Sequence, residues 1–258
     1  EERKELKMPL SLEKPIDKPP RILIYGGQGV GKSTFASLAN NPIFIQTEDG
    51  LSAIKSARFP LATSFKDVLT YLGELATENH DYKTLCVDST DWLERLIFSQ
   101  VCAERNVKTI GDIGYGAGYN QAIDLWQQYI DCLNYLRDNK DMMIIQIAHS
   151  QVKKYENPET DSYDRYQIKM HDKASALLLE HSDIVLFANH VIGIKKEQDG
   201  FSKRTRAIGG GERVLYTEER PAFVAKNRYG LPEEIPFDKD GAYWQVIAQH
   251  VPYFTKGE

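Results

Sequence analysis

The segment RILIYGGQGVGKST, residues 21–34, constrains the fold of this chain more than any other. Residues 26–33 match the pattern G-x-x-x-x-G-K-[ST], with an apolar run before the motif and a helix-compatible stretch after it. Glycines at these positions let backbone N–H groups wrap a phosphate, and the start of the following helix adds partial positive charge. The order of strand, glycine-rich turn and helix therefore predicts a phosphate-binding loop in an α/β protein.

The motif also predicts which residues contact a nucleotide and a metal ion. Lys32 is placed to reach the β- and γ-phosphates, and the Ser33 hydroxyl to ligate Mg²⁺. A guanine-specific GTPase would carry an N-K-x-D element, but the nearest string, NKDM at 139–142, lacks the second acid. We therefore expect ATP and Mg²⁺ as cofactors. The expected nucleotide-binding residues are Gly26, Gly27, Gln28, Gly29, Val30, Gly31, Lys32, Ser33 and Thr34.

Apolar runs of strand length alternate with helical stretches through most of the chain. The runs are RILIY, IFIQT, TLCVD, MMIIQIAHS and DIVLFANHV, and strands without intervening helices follow the last of them. This order predicts a mostly parallel, helix-covered sheet with an antiparallel C-terminal extension. We expect an extended, proline-rich arm at 1–20, the core at 21–240 and a C-terminal tail at 241–258. The polar stretch 151–173 shows no clear pattern and predicts a long loop that is functional or mobile.

Composition limits the classes of function. The net charge of −5 means that any nucleic-acid binding must come from local patches. No apolar run approaches the roughly 18 residues that cross a bilayer, and the N-terminus has no apolar signal core, so we expect neither membrane association nor a leader. The three cysteines share no metal-ligand spacing, and Cys86 in an apolar run predicts core packing. A reducing cytoplasm is the expected location.

Two carboxylates at strand ends are candidates for catalysis. Asp88 ends TLCVD and is the expected second anchor for Mg²⁺, although it or Asp91 could instead cap the following helix. Glu48 follows IFIQT, where its carboxylate could polarise an attacking water, or it could be an ordinary turn residue.

These elements together resemble the RecA-type recombinase and helicase core. QTEDG is similar to the T-E-G element of the recombinases, and CVDS to their Mg²⁺-binding strand end. The resemblance implies a polar γ-phosphate sensor on the fourth strand. The recombinases commonly have Gln there, whereas this chain offers His149, with Gln146 and Gln151 as alternatives.

The late segment FVAKNRYGLPEEIPF, residues 223–237, resembles the K-x-R-x-G hairpin of DnaB-type helicases. The resemblance implies that Lys226 and Arg228 reach a neighbouring subunit's ATP site, and hence a homo-oligomeric ring or filament. Within the RecA-like class the chain is most similar to the Sak-four group of phage single-strand annealing ATPases. That likeness implies phage recombination, single-stranded DNA as a partner, and a single-strand binding protein as a further partner.

RecA-like recombinases hold DNA on two loops, which correspond here to residues 107–120 and 151–173. Both segments offer tyrosines for base stacking, and the second also offers cations for phosphates. Residues 150–173 nevertheless hold five Lys or Arg and five Asp or Glu, so binding should be weak and salt-sensitive. The candidate DNA contacts are Tyr115, Tyr119, Lys153, Lys154, Tyr155, Arg165 and Tyr166.

The function expected from the sequence is a DNA-dependent ATPase of annealing or strand exchange. The alternatives are a regulatory ATPase that remodels or recruits a protein partner, and a helicase motor.

Overall fold

The computed structural model describes residues 16–191, 193–199, 202–208 and 211–255, with only the backbone described for 193–199 and 202–208. Most of the expected N-terminal arm therefore lies outside the described residues. The strands are β1 Arg21–Gly26, β2 Pro42–Gln46, β3 Ala57–Arg58, β4 Thr84–Asp88, β5 Met143–Tyr155, β6 Tyr163–Ile168, β7 Ile184–His190, β8 Gly193–Asp199, β9 Ser202–Ile208, β10 Arg213–Tyr216, β11 Lys226–Asn227 and β12 Glu234–Pro236. The helices are α1 Lys32–Ser37, α2 Phe65–Thr77, α3 Thr90–Arg105, α4 Ala117–Lys140, α5 Asp172–His181 and α6 Ala242–His250, with short 3-10 turns at 110–112, 114–116 and 252–255.

The central sheet has the strand order β12-β10-β7-β1-β5-β4-β2-β3. Strands β1, β2, β3, β4, β5 and β7 run parallel, while β10, β11 and β12 join antiparallel beyond β7. The predicted fold class, a mostly parallel sheet with an antiparallel C-terminal extension, is confirmed. Because parallel strands end at the same edge, residues that follow β1, β2 and β4 converge there.

Each face of the sheet has its own apolar core. Helices α2, α3, α4 and α5 cover one face, with Trp126 and Tyr129 of α4 fully buried. Helices α1 and α6 cover the other face together with residues such as Cys86, whose predicted core position is confirmed. Near-continuous apolar strands such as ILIY are what a sheet covered on both faces requires.

The C-terminal segment is more ordered than the tail that the sequence predicts. Residues 242–250 form α6, in which Tyr243 and Ile247 are buried against the core. The indole N–H of Trp244 donates a hydrogen bond to the Phe35 carbonyl of α1 at 3.0 Å. This segment is therefore part of the core that holds α1 against the sheet.

The stretch 151–173 differs from the unpatterned loop expected from the sequence. Strand β5 continues to Tyr155 and pairs antiparallel with β6, with Tyr155 opposite Tyr163 and Ser150 opposite Ile168. The turn at 156–162, with Asn157, Pro158 and Asp161, is rich in loop-forming residues, but the flanking polar strands lack an apolar alternation. The two strands form because their backbone groups hydrogen-bond to each other, and the polar side chains give no sign of this pairing in the sequence.

Candidate nucleotide-binding site

The turn between β1 and α1 has the geometry of a phosphate-binding loop. A Cβ atom at Gly26 would lie 2.1 Å from the carbonyl oxygen of Ala188, so only glycine lets β1 pass β7 this closely. Gly31 adopts a φ of 108°, in the left-handed region that glycine favours. Residues 27–29 of the same turn are exposed. The turn therefore presents a backbone surface at the carboxyl edge of the sheet.

Lys32 folds back over this loop. Its ammonium donates hydrogen bonds to the carbonyl oxygens of Gly26 at 3.1 Å and Gly27 at 2.8 Å. Burial lowers the pKa of Lys32, and nearby carboxylates, Asp88 foremost, act in the opposite direction. The ammonium is thus held at the loop, where it can exchange backbone acceptors for phosphate oxygens.

Ser33 and Asp88, the two expected Mg²⁺ ligands, are in direct contact. The Ser33 hydroxyl donates a hydrogen bond to Asp88 Oδ2 at 2.5 Å, which links the start of α1 to the end of β4. Burial raises the pKa of the Asp88 carboxyl. A hydroxyl and one carboxylate fit Mg²⁺, which keeps waters and substrate phosphates as its other ligands. The described residues contain no cluster of three or more His, Cys, Asp or Glu side chains that would hold a metal unaided.

Glu48 stands next to this pair, beyond the end of β2. Burial raises the pKa of its half-buried carboxyl, and His149 acts against that shift. Its Oε1 lies 3.8 Å from Nε2 of His149. The preceding residue, Thr47, is buried and hydrogen-bonded to Ser89 of the neighbouring strand end. A carboxylate fixed in this way is suited to accept a proton from water.

His149 is held between two carboxylates. Its ring Nδ1 lies 3.0 Å from Asp91 Oδ2, while its backbone N–H donates to Asp91 Oδ1 at 3.1 Å. Of the three sensor candidates only His149 reaches Glu48, because Gln146 is fully buried and accepts a hydrogen bond from Tyr129. Gln151 instead donates to the Ile168 carbonyl inside the β5–β6 hairpin.

Comparison with known proteins agrees with this geometry. A family model described as an AAA domain matches residues 18–229. The chain belongs to this family. It is also similar to the SPbeta prophage-derived uncharacterized protein YorG of Bacillus subtilis (strain 168), at 26% identity over 216 residues. That alignment covers 81% of this chain and 59% of the relative, so the chain spans less than two thirds of the relative's length. The site is accordingly that of a nucleotide-binding ATPase.

Three residues of the AAA domain site are not assigned by the sequence analysis. The sequence predicts at most a helix cap at Asp91, yet its carboxylate contacts the His149 ring. Thr47 orders the two strand ends beside Glu48. Arg213 of β10 donates to the Val30 carbonyl of the phosphate-binding loop at 2.9 Å. These three residues reach the site through the pairing of strands that are distant in the sequence. Asp91 alone has a sequence signal that could have suggested it, because it is an acid in the first turn of the helix after β4.

Lys226 and Arg228 of the AAA domain lie away from its own phosphate-binding loop. Lys226 is opposite Val185 near the start of β7, whereas Gly26 is opposite Ala188 in its second half. The Lys226 ammonium donates to the Leu179 carbonyl at 2.8 Å. Arg228 pairs with the buried Asp183 at 3.1 Å. Neither cation reaches the phosphate-binding loop of the same chain.

The candidate DNA contacts on the β5–β6 hairpin differ in solvent exposure and in whether they already have a partner within the chain. Lys154 is exposed. Lys153 is also exposed, but both carboxylate oxygens of Asp172 accept hydrogen bonds from its ammonium, at 2.6 and 2.7 Å. Tyr166 packs inward, with its ring 5.1 Å from that of Phe187. Lys154 is thus the unpaired candidate cation of the described hairpin.

Arg165 is engaged within the fold. It is buried, and its guanidinium donates to the Glu219 carboxylate and, at 3.1 Å, to the Phe223 carbonyl. The same group lies 4.9 Å from the centre of the Tyr155 ring. Arg165 therefore joins the hairpin to the segment after β10. Tyr155 lies next to Arg165 and lines a groove of about 440 Å³ between the hairpin and α5.

The other candidate segment, 107–120, meets the hairpin at its base. Tyr119 stacks on His171 with ring centres 4.2 Å apart, and Lys173 donates to the Asn120 side chain. Tyr115 is fully exposed at the tip of a 3-10 turn. The structure therefore brings the two segments together, with Tyr115 free and Tyr119 packed. No helix among the described residues is long and apolar enough to cross a membrane.

Proposed function

We propose that this chain is a RecA-like ATPase that couples ATP hydrolysis to the handling of single-stranded DNA. The observation that carries the proposal is the continuity of β5. The strand holds His149 beside Glu48 and, four residues later, Lys153 at the start of the exposed hairpin. No loop separates His149 from the β5–β6 hairpin. A change at the nucleotide can thus be transmitted along β5 to the tyrosines and cations of that hairpin.

In this proposal each site residue has a defined task. Lys32 binds the β- and γ-phosphates, while Ser33 and Asp88 hold Mg²⁺, which when bound neutralises phosphate charge. Glu48 accepts a proton from the water whose oxygen bonds to the γ-phosphorus, as the bond to the β–γ bridging oxygen breaks and ADP leaves. His149 senses that phosphate and is oriented by Asp91.

The same proposal assigns Lys226 and Arg228 to the neighbouring subunit's nucleotide in a ring or filament. Their position away from their own loop is compatible with this assignment, because contact with a nucleotide would then require a second copy of the chain. Cations so placed stabilise charge on the leaving phosphoryl group. The similarity to a prophage-derived protein supports a phage origin, and a role in phage recombination in the host cytoplasm is part of the same proposal.

The test is steady-state ATPase activity with and without single-stranded DNA, at low and moderate salt. We expect hydrolysis to rise with DNA, to be abolished in Lys32→Ala, and to require a higher DNA concentration for the same stimulation in Lys154→Ala. Lys66→Ala, at an exposed lysine of α2, is the matched control and should keep full stimulation. Lys32-dependent hydrolysis that ignores DNA would contradict the DNA coupling and favour an ATPase that remodels a protein partner.

A further inference from the structure

The Ser89 hydroxyl is a buried polar group that the chemistry described above does not use. Ser89 is fully buried and directly follows Asp88, the expected metal ligand that ends β4. Its hydroxyl oxygen has no hydrogen-bond partner among the described residues. Because a buried hydroxyl without a partner destabilises a fold, its place beside a nucleotide site points to a group from outside the chain that completes its hydrogen bonds.

Helix capping does not account for this hydroxyl. Ser89 is the N-cap of α3 and has the extended backbone usual there, with φ −127° and ψ 160°. Serine at this position ordinarily accepts a hydrogen bond from a backbone N–H of the first helical turn. Ser64 at the start of α2 does so, from the Asp67 N–H, whereas the Ser89 side chain makes no such bond to α3.

The pairing of Ser89 with Thr47 does not account for it either. The Ser89 N–H donates to the Thr47 hydroxyl at 2.9 Å, and the Ser89 carbonyl accepts from the same hydroxyl at 2.7 Å. Both bonds use the backbone of Ser89, and the Thr47 hydroxyl has already donated its single proton. The pairing therefore fixes the backbone of Ser89 and leaves its hydroxyl available.

The Ser89 hydroxyl lies close to two carboxylates of the site. Burial has the largest influence on the pKa of Glu48 and of Asp91, and the Ser89 hydroxyl is among the smaller influences that lower both. Asp91 contacts the His149 ring, and Glu48 is half-buried beside the same ring. The hydroxyl thus stands next to the expected water-activating carboxylate.

An attacking water in this position needs a second acceptor. Water has two O–H bonds, and Glu48 accepts only one of them as the water oxygen bonds to the γ-phosphorus. An acceptor for the other O–H turns the lone pair of the oxygen toward the phosphorus. A serine hydroxyl can accept from the water while it donates its own proton to a carboxylate such as Asp91.

We propose that Ser89 is a catalytic residue whose hydroxyl binds the attacking water together with Glu48. The assignment deepens the proposed function and rests on the role of Glu48 in ATP hydrolysis. The water gives one proton to Glu48 and its oxygen bonds to the γ-phosphorus, while the bond from that phosphorus to the bridging oxygen breaks and ADP leaves. Ser89 keeps its own proton and orients the O–H bond that remains with the phosphate.

Steady-state ATPase kinetics and urea denaturation of Ser89→Ala test this assignment. Alanine removes only the hydroxyl, so kcat should fall at least about tenfold while KM for ATP stays within about twofold. The urea midpoint should equal or exceed that of the wild type, because an unpartnered buried hydroxyl is lost. Ser64→Ala is the matched control, since it removes a serine hydroxyl that caps α2 and should lower the urea midpoint at wild-type kcat.

Two further variants separate the water from other roles of the hydroxyl. Ser89→Cys keeps the approximate size of the side chain but accepts hydrogen bonds weakly, so it should also lower kcat if Ser89→Ala perturbs folding. In a Glu48→Gln background, Ser89→Ala should change kcat by less than about twofold, because the water is no longer activated.

The outcomes distinguish this assignment from the ATPase itself. An unchanged kcat in Ser89→Ala, a raised KM in place of a lowered kcat, a lowered urea midpoint in both Ser89 variants, or a full further loss of kcat in the Glu48→Gln background would overturn the role of Ser89. A wild-type kcat in Glu48→Gln would overturn the roles of Glu48 and Ser89 together. Absence of Lys32-dependent hydrolysis in the wild-type chain would overturn the proposed function as well.

Discussion

Thr47 and Ser89 exchange two hydrogen bonds across the ends of β2 and β4. The Thr47 hydroxyl donates to the Ser89 carbonyl at 2.7 Å and accepts from the Ser89 N–H at 2.9 Å. Both residues are buried. The pair locks together the residue before Glu48 and the residue after Asp88, so the expected water-activating carboxylate and the expected metal ligand share one rigid support.

Thr47→Val should lower both stability and turnover. Valine keeps the shape but leaves the Ser89 N–H buried without a partner, which costs about 1 to 3 kcal/mol. Loss of this support should also misplace Glu48 and reduce kcat. Urea denaturation and steady-state ATPase assays measure the two effects. Thr47→Ser keeps the hydroxyl and should preserve most of both properties. If Thr47→Val and Thr47→Ser had the same stability and the same kcat, the Thr47 hydroxyl would not be responsible for either effect.

Asp91→Asn should slow hydrolysis without weakening ATP binding. The amide keeps the size of the side chain but loses the negative charge that faces His149. We expect kcat to fall about tenfold while KM for ATP stays within about twofold. The measurement is a comparison of kcat and of KM for ATP between Asp91→Asn and the wild type.

Asp67→Asn is the matched control for Asp91→Asn, because Asp67 is also an acid in the first turn of a helix. It closes the capping box of α2 with Ser64. Its loss should cost about 1 kcal/mol of stability and leave kcat unchanged. A loss of kcat in this variant equal to that of Asp91→Asn would mean that helix stability, rather than His149, determines the rate.

The phosphate half of the site is predictable from sequence because its residues are local. The loop, Lys32 and Ser33 lie within one short motif whose spacing carries the geometry, and Asp88 and Glu48 each follow a readable strand. Arg213 could not be predicted, because its approach to Val30 depends on β10 pairing with β7 across a long insertion. Residues that reach a site through non-local pairing leave no pattern in the sequence around them.

The β5–β6 hairpin shows that the sequence does not predict which polar side chains are exposed. Its cations and tyrosines are visible in the sequence, but their exposure is not. Arg165 and Lys154 are both basic residues in a polar stretch, yet Arg165 is buried and Lys154 is exposed. Alternation along a strand separates the two faces only when the strand is recognised, and this stretch lacks the apolar residues that would reveal it.

Arg165→Ala and Lys154→Ala should therefore differ. Arg165→Ala removes hydrogen bonds to Glu219 and Phe223 and should cost about 2 to 3 kcal/mol of stability. Lys154→Ala should stay within about 0.5 kcal/mol of wild type, while weakening single-stranded DNA and reducing the log-log salt slope by about 0.7. Denaturation and DNA titrations at several salt concentrations separate the two. A stability loss in Lys154→Ala would contradict its placement on the surface.

Glu94 of α3 links that helix to the end of the hairpin. Its two carboxylate oxygens accept from the His171 N–H at 3.0 and 3.1 Å. Burial raises the pKa of Glu94 from 4.5 to about 7, and Asp91 adds to the rise against the His171 hydrogen bond. Between these two pKa values the folded protein keeps a proton that the unfolded chain has released.

The free energy of unfolding should therefore fall as pH rises through this window. Glu94 stabilises the fold fully below pH 4.5, and this contribution declines by about 1 to 3 kcal/mol as pH rises from 4.5 to 7, because unfolding then releases the Glu94 proton. Glu94→Gln has no proton to lose, so its urea-denaturation free energy should decline less than that of the wild type between pH 5 and pH 8. Glu74→Gln, at an exposed site of α2, should keep the wild-type pH dependence. Parallel pH curves for wild type and Glu94→Gln would show that the carboxyl titrates alike in the folded and unfolded chains.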